Sequence, residues 1–183
     1  LHKIKIAVDD LTDILEGFLC LEKIDSGKIE LHYTDFDLPS LCKELLTEVQ
    51  AQTKTGQTVS YTHNGSLTDV FLDKKLLSRC LVNLLSNAIK YSGPAGAIHL
   101  TTDLNESSYR ISVADDGIGI PYEDQPHVFE AFFRAHNTIN IQGTGLGLNI
   151  VKRYVDMMHG QLSFECTKDN GTIFRLSFPT GPY

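Results

Sequence analysis

Apolar residues at Ile4, Val8, Leu11, Leu15 and Phe18 recur in alternating steps of four and three, the seam of a coiled-coil or bundle helix, which Ser26-Gly27 stops. No other segment offers a helix of similar length and pattern, so this one is expected to need a partner helix from upstream or from another copy. The period then changes to two. Ile29, Leu31 and Tyr33 alternate with polar residues, which predicts a strand and a new domain beginning near Ile29. Asp37 before Leu38-Pro39 starts a helix whose stripe of Leu41, Leu45, Leu46 and Val49 runs toward a stop near Gly56. Short strand-like pieces at 59–62 and 70–72 lead to Asp73, which caps a helix from 74 to about 91. Residues 97–104 and 108–114 predict two strands joined by Asn105-Glu106-Ser107, the second running into Asp115. Leu148, Val151, Tyr154, Val155 and Met158 give helical spacing between Gly145 and His159, with Gly160 as the stop. Residues 161–166 and 172–178 read as a hairpin around Asp169-Asn170-Gly171. This order predicts an α/β fold, a two-layer sandwich with helices on one face of the sheet, preceded by a single helix.

Composition narrows the class. The 183 residues, 42% of them hydrophobic, suffice for one domain with a real core and a small appendage. A formal charge of −7 disfavours non-specific nucleic-acid binding, so an anionic ligand must be held by local features. No apolar run is long enough to span a membrane, and no signal segment is present, so direct membrane contact is not expected. Cys20, Cys42, Cys80 and Cys166 are widely spaced among apolar neighbours, the pattern of reduced core thiols in a cytosolic protein.

Three stretches carry candidate chemistry. On the helix over 76–91, Leu77, Leu81, Leu84, Leu85 and Ala88 form an apolar side, while Asn83, Asn87 and Lys90 share the opposite stripe. Two amides and an ammonium can hold a hydrated magnesium ion and a phosphate, although a solvated polar face reads the same way. In Asp115-Asp116-Gly117-Ile118-Gly119-Ile120-Pro121 a carboxylate stands at a strand end, where it can accept from an exocyclic amine. Gly117 and Gly119 would let a planar base approach the backbone, although an acidic glycine-rich turn fits too. Gly143-Thr144-Gly145-Leu146-Gly147-Leu148 opens a helix, where backbone N–H groups and the helix dipole favour phosphate. Its spacing matches neither the dinucleotide fingerprint nor the phosphate loop.

In this order the three stretches resemble the N, G1 and G2 boxes of the GHKL ATPases, the superfamily of histidine kinases, gyrase, mismatch-repair and chaperone ATPases. Phe129-Glu130-Ala131-Phe132-Phe133-Arg134 resembles the F box of histidine kinases, and Asn170-Gly171-Thr172-Ile173-Phe174 resembles the last motif of their catalytic domain. The resemblance covers about residues 29–178 and implies a Bergerat-type fold with a mixed, mostly antiparallel sheet. It implies ATP and Mg²⁺ as cofactors. By position, Asp115 would bind the adenine amine, with Tyr91, Ile120 and Thr172 around the base. Asn87, helped by Asn83, would hold Mg²⁺, and Lys90 would reach the phosphates. Arg134 and the amides of Gly145, Leu146, Gly147 and Leu148, beside Thr144, would meet the outer phosphates, with residues 135–142 as a mobile polar lid.

Asn83 separates the branches. Hydrolysing members carry a water-activating glutamate there, and an amide cannot take that proton, so transfer of the γ-phosphate to a protein histidine is expected. The alternatives are a hydrolysing GHKL ATPase and a non-catalytic nucleotide-sensing module. Residues 21–28 resemble the tail of the second helix of the histidine-kinase dimerisation hairpin, which divides the chain at 1–28 and 29–183. No H-[ED]-x-x-[TN]-P stretch is present, so autophosphorylation by this chain alone is not expected. The resemblance further implies a bacterial two-component phosphorelay and a homodimeric full-length protein. Its partners would be its own hairpin and a response-regulator receiver domain. Its location would be cytoplasmic, either free or as part of a membrane-anchored sensor.

Overall fold

The computed structural model describes residues 2–166 and 171–180. Helix α1, His2–Asp25, ends in a Schellman arrangement: Lys28 N–H donates to Lys23 O, Gly27 N–H donates to Ile24 O, and Gly27 has a φ of +64°. The side chains of Ile4 and Val8 lie outside the described residues, but the rest of the predicted seam, Leu11, Leu15 and Phe18, is more than half exposed. The opposite face docks on the domain. Cys20 Sγ lies 2.8 Å from the hydroxyl of Tyr154, which accepts from Arg79 at 3.0 Å, and Asp25 pairs with Arg153 at 2.9 Å. Sequence periodicity found the exposed seam and missed this second, docked face.

The predicted strand at Ile29 begins later. β1 is Tyr33–Asp37, and residues 29–32 keep alternating burial without a ladder, because the antiparallel partner β3, Asp69–Asp73, reaches only from Asp37 back to Tyr33. Asp37 caps α2, Leu38–Gln50, by accepting from Ser40 N–H at 2.6 Å. That helix stops well short of the expected Gly56, where its apolar stripe runs out after Val49. β2, Thr58–Asn64, precedes β3, and α3, Lys74–Tyr91, follows at once. Asp73 caps α3 through Leu76 N–H at 3.0 Å and also accepts from His32 N–H at 2.8 Å, which ties residues 29–32 to the helix start.

β4, Ala97–Leu104, and β5, Ser108–Asp115, meet at Asn105, whose side chain accepts from the backbone of Ser107 and Ser108. α4 is Gly147–Met157, and β6, Gln161–Cys166, and β7, Thr172–Pro179, complete the chain. The expected hairpin turn at Asp169-Asn170 falls outside the described residues. The left-handed residue after α4 is His159, with a φ of +56°, and not the expected Gly160. Gly160 is small for a different reason: a Cβ there would lie 2.5 Å from the ring of Phe178.

β1 and β3 form a two-stranded ribbon. The main sheet runs β2-β4-β5-β7-β6, parallel between β2 and β4 and antiparallel elsewhere. Ile98, Leu100, Ile111, Val113 and Leu176 point from one face of this sheet into the same buried cluster as Leu77, Leu81 and Leu85 of α3 and Val151 and Val155 of α4. The mixed, mostly antiparallel two-layer sandwich with a leading helix is therefore as expected. All four cysteines are free thiols.

Asp73 holds two backbone donors while buried. Asp73→Ala removes the cap and the His32 anchor together and is expected to destabilise the domain by about 2–3 kcal/mol in urea denaturation. A loss indistinguishable from that of Asp37→Ala, a half-buried cap with a single backbone donor, would contradict the double role of Asp73.

Candidate functional site

α3 has two working sides. Leu77, Leu81, Leu84, Leu85 and Ala88 are buried, while Asn83, Asn87 and Lys90 line a cavity with Tyr91 at the helix end. Across it stand Asp115, Gly119 and Ile120 from the end of β5 and its following turn, Thr172 from β7, and Thr144, Gly145, Gly147 and Leu148 from the start of α4. Arg134 completes the wall. Thirteen of the fifteen residues expected to bind nucleotide thus line one cavity, and Gly117 and Leu146 do not.

Those two departures have physical reasons. Gly117 serves the carboxylate: its N–H donates to Asp115 Oδ1 at 2.9 Å, and a Cβ there would stand 2.7 Å from both that oxygen and Tyr91 O. Leu146 is only 1% exposed because its side chain turns away from the cavity, against Gly17 of α1. The carbonyl oxygen of Asn83 faces Gly147 so closely that any side chain there would collide with it. The Asn83 amide therefore lies against the start of α4. That helix has no side-chain cap. Lys90 Nζ sits over the Tyr91 ring at 5.1 Å and beside Gly143.

Asp115 is the charged group of the opposite wall. Burial pushes its carboxyl up to about 6, against the lowering effect of backbone hydrogen bonds from Gly117 and Thr172. Gly171 is needed here for closeness, since a Cβ on it would run into the carbonyl of Asp115, and its φ is +76°. Sequence reading took Gly171 as a turn residue and missed this role, which no local pattern signals.

The stretch between the glycine clusters is more ordered than a polar loop suggests. Phe129 packs edge-on against Phe164 at 5.7 Å, and Phe133 lines the cavity, whereas Phe132 is exposed with a φ of +64°. Residues His136–Thr138 form a short 3-10 turn, so the first part of the expected mobile lid is folded. Ala135 and Thr138 of the expected lid line the cavity, as do Phe174 of the last motif and Val128, which the sequence did not mark. Arg134 Nη2 donates to the carbonyls of Thr138, at 2.6 Å, and Ile141. Its guanidinium braces the lid as well as reaching the cavity. The Arg134 charge also acts on the Tyr91 hydroxyl, so Lys90 and Arg134 converge on one ring.

A hard metal ion finds amide oxygens here and few acids. Among the described residues no three His, Cys, Asp or Glu side chains group as a metal site. The Asn83 and Asn87 amides suit an ion that keeps most of its waters.

The chain belongs to the family of histidine kinase-, DNA gyrase B- and HSP90-like ATPases, whose model matches residues 72–182. It is 32% identical over 176 residues to the circadian input-output histidine kinase CikA of Synechococcus elongatus, a match covering 93% of this chain and 23% of CikA. Full-length ShkA in complex with AMPPNP superposes with a TM-score of 0.82 at 26% identity, over 96% of this chain and 37% of ShkA. Histidine kinase ThkA in complex with the response regulator TrrA does so with a TM-score of 0.77 at 26% identity, over 98% of this chain and 51% of that one. The chain therefore spans about a quarter of CikA, over a third of the ShkA chain and about half of the ThkA chain.

The raised Asp115 carboxyl has a definite pH signature. Because its folded pKa lies above the ordinary value of 3.8, its contribution to stability is fully present below that value and is lost as pH rises through about 6. Asp115→Asn should thus leave the protein no less stable, or more stable, at neutral pH in thermal melts. The same variant should lose most of its affinity for adenosine in calorimetric titration, and adenosine affinity of the wild type should weaken as pH falls through about 6. Undiminished adenosine affinity in Asp115→Asn would remove Asp115 from the site.

Proposed function

We propose that this member of the histidine kinase-, gyrase B- and HSP90-like ATPases binds Mg·ATP in the cavity and donates the γ-phosphate to a histidine of a dimerisation hairpin in two-component signalling. The observation that carries this reading is the distribution of acid in the cavity. Asp115 is its only carboxylate among the described residues, and it stands with Gly119, Ile120 and Thr172, on the side suited to a base. The facing wall offers Asn83, Asn87, Lys90 and Arg134, amides and cations with no group able to take a proton from water at neutral pH. Such a wall can neutralise and align a triphosphate without activating water, which favours transfer over hydrolysis.

In this reading Asp115 accepts from the adenine amine while Tyr91, Ile120 and Thr172 flank the ring. Lys90 and Arg134 neutralise the phosphates, and the N–H groups at the start of α4 receive the outermost one. Asn87, with Asn83, would hold Mg²⁺, which neutralises charge on the transferred phosphoryl group. The exposed seam of Leu11, Leu15 and Phe18 supports assigning residues 1–28 to the dimerisation hairpin and 29–183 to the catalytic domain. The partners are then the other helices of that hairpin in a homodimer and, as in the ThkA complex, a response regulator. No helix among the described residues is long and apolar enough to cross a membrane.

The test supplies γ-labelled Mg·ATP and a separately produced hairpin carrying the acceptor histidine. Label is expected on the hairpin as acid-labile, alkali-stable phosphohistidine, with little ATP consumed when the hairpin is omitted. Steady turnover without the hairpin, and no label on it, would sink the transfer reading in favour of hydrolysis. In Asn87→Ala the ratio of ATP affinities with and without Mg²⁺ is expected to fall to about one, because the remaining groups bind phosphate but not the ion. A ratio as large as that of the wild type would clear Asn87 of any metal role.

A further inference from the structure

Asp124 is a buried carboxylate in a surface segment, and the proposed reaction has not used it. Its side chain is 3% exposed, within the short 3-10 stretch Tyr122–His127. Both side-chain partners that the structure shows come from one residue, twelve positions on: His136 donates its backbone N–H to Oδ2 at 2.8 Å, and its Nδ1 lies 2.7 Å from Oδ1. The hydrogen bonds and the positive field of His136 and His127 hold the Asp124 carboxyl below the usual carboxylate range in spite of its burial. His127 is itself paired with Glu130 at 2.8 Å.

His136 opens the folded part of the lid. The next residue, Asn137, donates to Gly119 O at 3.0 Å, and Thr138, whose carbonyl accepts from Arg134, lines the cavity. A continuous chain of bonds therefore runs from Asp124 through the 136–138 turn to the Arg134 guanidinium.

We propose that Asp124 is a positioning residue for the nucleotide phosphates: by clasping His136 it fixes the lid turn that holds Arg134 in the cavity wall. This rests on the reading of Arg134 as a phosphate contact. The carboxylate acts chiefly on the phosphate end: Asn137 also ties the turn to Gly119 O, but Asp115, the acceptor for the base, has its own backbone donors. Removing the clasp leaves the adenosine pocket intact and frees the guanidinium to leave the phosphates.

Two variants attack the clasp from opposite sides. Asp124→Asn removes the charge. His136→Pro removes the N–H donor at the first position of a helical turn, where proline is tolerated, behind an Ala135 already extended at ψ 145°. His136→Ala keeps the N–H bond and serves as the control. Titration with ATP and, separately, with adenosine is expected to show ATP affinity falling about tenfold in Asp124→Asn and His136→Pro, and less in His136→Ala. Adenosine affinity should stay within about twofold of wild type in all three. The double variant Asp124→Asn/His136→Pro should lose little more than either single one, because both break the same link. Unchanged ATP affinity in both clasp variants overturns the proposal. So does an equal loss of ATP and adenosine, which would mark Asp124 as merely structural. A wild type that binds adenosine but gains nothing from the phosphates would instead strike at the phosphate reading of Arg134.

Discussion

Helix α3 must be core and cavity wall at once, and the rest of the site follows from that constraint. Its buried side, from Leu77 through Ala88, packs against the inward face of the sheet. That packing fixes both the height and the rotation of the helix, because core side chains of this size tolerate little displacement. Asn83, Asn87 and Lys90 lie on the opposite stripe and inherit that precision from the packed side. The amides are placed by leucines, one turn of helix away. Asp73 sets the register of the whole arrangement by fixing where the helix starts.

One buried and one half-buried carboxylate show how partners decide what an acid is for. Asp124 and Asp115 both lose solvent, yet the carboxyl of the first is lowered and that of the second is raised. Asp124 meets an imidazole nitrogen and a backbone donor from the same residue, so both of its oxygens have a partner within the protein. Asp115 has backbone donors and an acidic neighbour, Asp116, and its loss of solvent outweighs those donors. In the proposed reading, a ligand that brings an N–H to Asp115 would offset that desolvation, an exchange of stability for function.

What was legible in the sequence was what is local. The caps at Asp37 and Asp73, the turn at Asn105, and the two sides of α3 are set by residues within a few positions of one another. Periodicity or side-chain chemistry therefore exposes them. The errors arose where a distant strand decided the outcome. β1 starts at Tyr33 because β3 ends its pairing there, and Gly160 is glycine because Phe178 lies above it. The order of the five motifs brought thirteen of fifteen candidate residues to one cavity. It could not tell which glycine of a motif faces the ligand. Gly117 turned out to face its own aspartate. The Asp124 and His136 clasp was illegible for a related reason: twelve residues of irregular chain separate its halves, and nothing periodic connects them.

Leu146 carries this reasoning to the start of α4. It lies between Gly145 and Gly147, both in the cavity wall, yet its own side chain is buried against Gly17 of α1. A helix start without a side-chain cap leaves its N–H groups available to a ligand, but it also loses the usual local device for fixing its geometry. Packing supplies what the missing cap would have done. With Leu146 seated in the hollow left by Gly17, where a Cβ would come within 2.6 Å of its Cδ1, the loop cannot shift without α1 shifting as well. The backbone proposed to face the phosphates is thus aligned by a contact on its far side. The glycine that permits this contact lies on α1, far in sequence from every motif that marks the cavity.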